Sequence, residues 1–237
     1  MDRLDSPFRN AGTGAATAAP SPRLSLRPMT GHEEEFVERR RNEPNTARLC
    51  NELLARCLVP VGADATQELA RIHSLQVAQR DAALLELRRM SLGDEVRTAV
   101  ACPSCGRTVE VDFRLSQIPL PDLSVPASLD VPLGEGRQAR LRLPTVADQE
   151  ALLDTPLETE AEKRTWLLAR VLLRYGDEHG PFSEAFTRAL PMSVRAALER
   201  ALEQALPDLE LSMAVSCQDC GHAFSAPFDI AAFFLPR

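Results

Sequence analysis

Four of the six cysteines fall into two matching groups, Cys102-Pro-Ser-Cys105-Gly106 and Cys217-Gln-Asp-Cys220-Gly221. Two intervening residues let a tight turn aim both sulfurs at one point while backbone N–H groups face the thiolates. The glycine after the second cysteine supplies a positive φ that other residues resist. One such turn is half of a tetrahedral site, and two make a zinc ribbon, with Zn–S bonds of about 2.3 Å. Cys102, Cys105, Cys217 and Cys220 are therefore the expected ligands of one structural zinc ion. Four cysteine ligands leave no open position for water, so catalytic zinc is not expected.

Other readings of these cysteines fit less well. A thioredoxin-like Cys-x-x-Cys comes once, next to a βαβ pattern, and here there are two without that frame. The N-terminus, from Met1 to Pro20, lacks the apolar core of a signal peptide, and no apolar run reaches the length of a membrane span. That places the chain in the cytoplasm or in an assembly built there, where reducing conditions disfavour disulfides. Cys50 and Cys57 share a helical stripe and read as small core residues. His222, directly after the second turn, reads as a neighbour of the site. His32, His73 and His179 are scattered, and no Gly-x-Ser-x-Gly, phosphate loop or His-Glu-x-x-His is present. The Gly134-Glu135-Gly136 triplet reads as a hairpin turn.

The elements that must carry the two half-sites can be read from periodicity. Val96–Ala101 and Thr108–Leu115 are expected strands on either side of the first. Val109, Val111, Phe113 and Leu115 alternate with polar residues there. Leu209–Ser216 and Ala223–Phe228 flank the second in the same way. Ahead of the first pair, helices are expected over Thr30–Arg41, Ala47–Leu58, Asp64–Leu75 and Ala82–Ser91. Thr30 with Glu33 makes a capping box, and the acidic run at Glu33 reads as a solvated helix start. Between the half-sites lie a hairpin (Leu129–Leu133 and Gln138–Leu143) and helices at Thr145–Leu153, Glu158–Tyr175 and Ser193–Leu206. Pro181 and Pro191 bracket a short segment.

The expected fold is α+β: helices around a split zinc ribbon, with an additional β-hairpin. Residues 1–29 form a disordered tail, 30–95 a helical region, and 96–237 the ribbon, into which 120–208 are inserted. The 111 residues between Cys105 and Cys217 are no obstacle. Closing so long a loop costs about 2 kcal/mol more than closing one of about 15 residues. A structural zinc site supplies on the order of 10–16 kcal/mol.

The net charge of −7 argues against a general nucleic-acid binder and offers no attraction to an anionic membrane. Arginines cluster only at Arg39-Arg40-Arg41 and Arg88-Arg89, with acids interleaved.

The order of the helix motifs carries a resemblance. Leu53-Leu-Ala-Arg-Cys-Leu58 is followed by Arg80-Asp81-Ala-Ala-Leu-Leu-Glu-Leu-Arg88-Arg89, then by Ser91-Leu-Gly93-Asp94, then by the Cys-Pro-x-Cys-Gly turn. In this the chain resembles the T4-like phage baseplate proteins, whose relatives occur in bacterial contractile injection system clusters. The resemblance spans roughly residues 30–230 and is motif-like from Leu53 to Phe113. It implies a non-enzymatic structural or assembly protein of the baseplate hub, with other baseplate proteins as partners and no nucleic acid or membrane. It leaves open whether the protein is a resident component or an assembly factor. The rival class is a nucleic-acid-associated zinc-ribbon protein such as a transcription factor. Phe233, Phe234 and Leu235 are the candidate apolar anchors for a partner, their other reading being a segment docked on the chain's own core.

Overall fold

The computed structural model describes residues 24–59, 64–118, 120, 122–134, 136–207, 209, 212–228 and 230. Helix α1 (Gly31–Arg39) opens with the expected capping box: the Glu33 carboxylate accepts from the Thr30 N–H at 2.9 Å. Helix α2 (Thr46–Arg56) is capped by Asn45, whose Oδ1 accepts from the Arg48 N–H at 3.0 Å. Helix α3 (Ala65–His73) is capped by Asp64, which accepts from the Thr66 N–H.

Helix α4 (Val77–Leu92) begins five residues before the expected Ala82. Its first turn is polar in sequence, yet Gln79 and Arg80 are buried. Gln79 accepts from the Gln76 N–H at 3.0 Å, and an Arg80 guanidinium nitrogen donates to Gln149 Oε1 at 2.7 Å. Hydrogen bonds make that burial tolerable, and they hide the turn from an apolar pattern. Gly93, at φ +88°, ends the helix.

Strands β1 (Glu95–Ala101) and β2 (Thr108–Arg114) form an antiparallel ribbon in which Val96 faces Phe113 and Ala101 faces Thr108. Asp94 fastens its base, its carboxylate accepting from both the N–H and the hydroxyl of Ser116.

A four-stranded antiparallel sheet follows, in the order β3 (Leu129–Gly134), β4 (Arg137–Leu141), β5 (Leu172–Tyr175), β6 (Glu178–His179). The expected hairpin is its first half. The second half replaces the end of the helix expected over Glu158–Tyr175: α6 covers Glu160–Val171, and the next four residues are strand. Their local sequence carries no stop signal. Pairing with β4, Leu172 opposite Leu141 and Tyr175 opposite Ala139, overrides the helical pattern and puts the Leu172 side chain in the core. Helices α5 (Val146–Asp154), α7 (Glu184–Ala189) and α8 (Met192–Ala205) complete this part, with α8 packed on β3. A second antiparallel ribbon, β7 (Ser212–Ser216) and β8 (Ala223–Pro227), pairs Ser212 with Pro227 and Ser216 with Ala223.

Two apolar clusters organise these elements. One gathers α2, α3 and α4 with the inner faces of both ribbons: Leu53, Leu54 and Leu87 meet Val96 and Phe113 from the first and Met213 and Val215 from the second. The other joins the four-stranded sheet to α6 and α8 through Leu141, Leu168, Leu172, Leu198 and Leu202. Residues 1–23 of the expected tail lie outside the described residues. Leu24, Leu26 and Met29, grouped with that tail on composition, pack against the first cluster, and the Arg27 N–H donates to the Cys57 carbonyl at 2.8 Å. Glu33 is likewise no solvated residue: it is 2% exposed and ion-paired with Arg27 at 2.9 Å.

Candidate metal centre

The two Cys-x-x-Cys turns have the same backbone. In the first, the Cys102 N–H donates to the Arg107 carbonyl at 2.8 Å and the Gly106 N–H to the Cys102 carbonyl at 2.9 Å. In the second, the Cys217 N–H donates to the His222 carbonyl and the Gly221 N–H to the Cys217 carbonyl, both at 2.9 Å. Gly106 and Gly221 take φ of +73° and +72°, the left-handed region that a side chain resists. Each turn thus closes on itself and leaves both sulfurs on one side.

The turns face each other. Sγ of Cys102 lies 3.7 Å from Sγ of Cys220, Sγ of Cys105 lies 3.7 Å from Sγ of Cys217, and all four sulfurs lie within 4.8 Å of one another. These are not disulfide distances, since a bonded pair would sit about 2.05 Å apart. A tetrahedron with metal–sulfur bonds of about 2.3 Å has an edge of about 3.8 Å, so a metal ion fits the space the thiols enclose. Cys102 and Cys217 are buried, whereas Cys105 and Cys220 are exposed. The first sulfur of each turn is therefore anchored beside the core and the second forms the outer wall.

The four thiols do not share their protons evenly. For Cys102, burial works to raise the pKa, but N–H groups of Cys105 and Ser104 aimed at its sulfur bring it down to about 7. Cys105 receives an N–H from Arg107 that works to lower its pKa, but burial and the three neighbouring sulfurs push it up to about 12. Proton sharing of this kind is what a cation removes when it draws four thiolates together.

The ribbons hold the site against the core. Phe113 of β2 meets Phe228, just past β8, edge to face with centroids 5.2 Å apart, and both rings are buried. The remaining sequence candidates fall elsewhere. Cys50 and Cys57 sit in the first cluster, and burial pushes the Cys57 thiol up to about 11. The His222 ring stacks on Phe224, centroids 6.1 Å apart. His73, read as one of the scattered histidines, has Nε2 3.2 Å from Glu150; the same carboxylate accepts from Asn51 and Arg48, which joins α2, α3 and α5. Its partners lie up to 102 positions away in sequence, so no local signal marks the group. Phe233, Phe234 and Leu235 lie outside the described residues. Four arginines of the two clusters are matched by acids, Arg39 by Glu35, Arg40 by Glu43 and Glu52, Arg41 by Glu38, and Arg89 by Glu86, while Arg88 donates to the Gly93 carbonyl at 3.1 Å. Among the described residues no helix is long and apolar enough to cross a membrane.

The family model for the T4 bacteriophage base plate protein matches residues 15–235, nearly the whole chain and both cysteine turns. The chain belongs to that family. Membership in it implies association with other base plate proteins. No curated protein and no solved structure matches it. The motifs that carried the resemblance have structural tasks in this family member. Ser91 accepts from the Met29 N–H at 2.9 Å and donates to the Leu87 carbonyl, Gly93 ends α4, and Asp94 holds the first ribbon.

Proposed function

We propose that this chain is a non-enzymatic structural or assembly protein of a contractile-tail baseplate hub. One structural zinc ion, bound by Cys102, Cys105, Cys217 and Cys220, holds it in shape. Four thiolates saturate zinc and leave no position for a substrate or for water. The metal fixes how the 30–95 helical region and the segment inserted at 120–208 are presented to other hub proteins. The net charge of −7 and the acids paired with Arg39, Arg40, Arg41 and Arg89 disfavour the transcription-factor alternative. The protein is made in the cytoplasm and acts there or in the finished particle.

The observation that carries the reading is the family match across residues 15–235. Deletion of the gene from its native cluster tests it. The expected result is a loss of contractile particles, or tubes and sheaths without a baseplate, restored by the gene in trans. Intact particles at wild-type yield would overturn the reading. Mass spectrometry of wild-type particles then separates a resident component from a factor that leaves.

A further inference from the structure

A cleft of about 670 Å³ opens between α6, β5 and the start of α7, and no cysteine lines it. This size lies within the range of about 300–1,000 Å³ usual for binding clefts. Its lining is mixed, and the apolar part comes from Trp166, Leu173, Pro181 and Phe182, with Leu173 40% exposed. Two guanidinium groups, Arg142 and Arg170, line it as well.

Both arginines lean on one carboxylate. Asp148, 2% exposed, accepts from two nitrogens of Arg142 at 2.5 and 2.9 Å, from Arg170 Nε at 3.0 Å and from the Thr145 N–H at 2.9 Å. One negative charge is thus set against two positive ones, and its acceptor positions are filled. Arg170 also lies over the Trp166 ring, 4.7 Å from its centroid, which fixes the plane of the guanidinium. Its Nε is committed to Asp148, but its two terminal amino groups have no partner among the described residues. Glu184 on the rim is matched by Arg188 at 3.6 Å, so it does not cancel the excess. In a chain of net charge −7 this is a fixed cationic fork in an apolar frame.

We infer that the Trp166–Arg170 cleft is a docking site for a segment of a partner protein in which an aromatic or aliphatic residue adjoins a carboxylate side chain. Charge complementarity selects the carboxylate, which would lie in the fork of Arg170. A planar guanidinium with two free N–H groups is matched to a carboxylate's two oxygens. The apolar part of the lining selects the neighbouring side chain, because a free anion would leave Leu173 and Phe182 facing water. The inference rests on the assembly reading only for the partner being another hub protein.

Trp166 is the chain's single tryptophan, so its fluorescence reports on this cleft directly. The zinc-loaded full chain is titrated with twelve-residue synthetic peptides carrying Phe, Leu or Ala followed by Glu, Gln or Lys. The expected result is a saturable change in Trp166 emission with the Phe-Glu and Leu-Glu peptides. Binding should be at least about tenfold weaker for the Gln peptides and absent for Lys. Arg170→Gln should abolish the preference for Glu over Gln, and Leu173→Ser, on an exposed strand position, should weaken all binding. Circular dichroism checks that each variant is folded, and Leu173→Ser carries the test if Arg170→Gln does not fold. No response from any peptide overturns the inference, as does binding indifferent to Glu→Gln. Equal saturation by acetate or inorganic phosphate also overturns it, since the site would then take a free anion. A negative result leaves the particle phenotype untouched, and a failed deletion test leaves cleft binding untouched, so the two readings fail separately.

Discussion

Cys50 and Cys217 are both buried cysteines, 5% and 2% exposed, with opposite environments. Cys50 touches apolar side chains of the first cluster, whereas Cys217 lies 3.7 Å from another sulfur. Cys50→Ser replaces a small apolar group by a hydroxyl and is expected to cost on the order of 1–3 kcal/mol. Cys217→Ser removes a ligand and is expected to abolish tight zinc binding and cost several kcal/mol more. Chemical denaturation with zinc release followed by a chromophoric chelator checks both, and equal losses would contradict the assignment. The four-cysteine cluster was legible in the sequence because each half is local: two residues between cysteines and a glycine after them. The cleft was not, because Arg142, Asp148 and Arg170 meet only through tertiary packing, and Trp166 read simply as an apolar helix position.

At the scale of elements, α1 and α5 begin with the same device. Glu33 and Asp148 each reach back from the third helical position to the N–H of the preceding threonine, and each is buried against arginine. Arg27 beside Glu33 draws its carboxyl down to about 2 against the cost of burial. For Asp148 burial opposes ionisation, but Arg142, the Thr145 N–H and Arg170 outweigh it and also hold it at about 2. Both folded values lie below the ordinary 4.5 and 3.8. Their stabilisation is therefore complete above about pH 5 and is lost as pH falls toward 2. Urea midpoints measured from pH 7 to pH 3 should fall more steeply for the wild-type chain than for Asp148→Asn, which has already lost one of these carboxylates. Parallel curves would contradict the account. The capping box of α1 was readable from Thr30 with Glu33, and the Thr145-to-Asp148 spacing carries the same pattern for α5, but the arginine partners were not readable. The same limit explains the misread end of α6: Leu172 to Tyr175 become strand because β4 lies beside them, and β4 is distant in sequence.

For the whole molecule, the cysteine turns bring together positions more than a hundred residues apart, and much of the chain between them forms a second apolar cluster around the four-stranded sheet. Helices, ribbons and the insertion were visible as α+β from their periodicity. The hairpin grew into four strands because β5 was masked by a helical pattern and β6, Glu178–His179, is only two residues long. The segment Leu24–Met29 was misjudged because its three apolar residues are too few to stand out, although they pack on α2 and α4. If zinc is the clasp, the folded chain must carry it. The most direct measurement is the metal content of the protein purified without added metal, by native mass spectrometry alongside elemental analysis. The account predicts one zinc per chain, released together with unfolding when a strong chelator is added. A fully folded, cooperatively unfolding chain that carries no metal would contradict it.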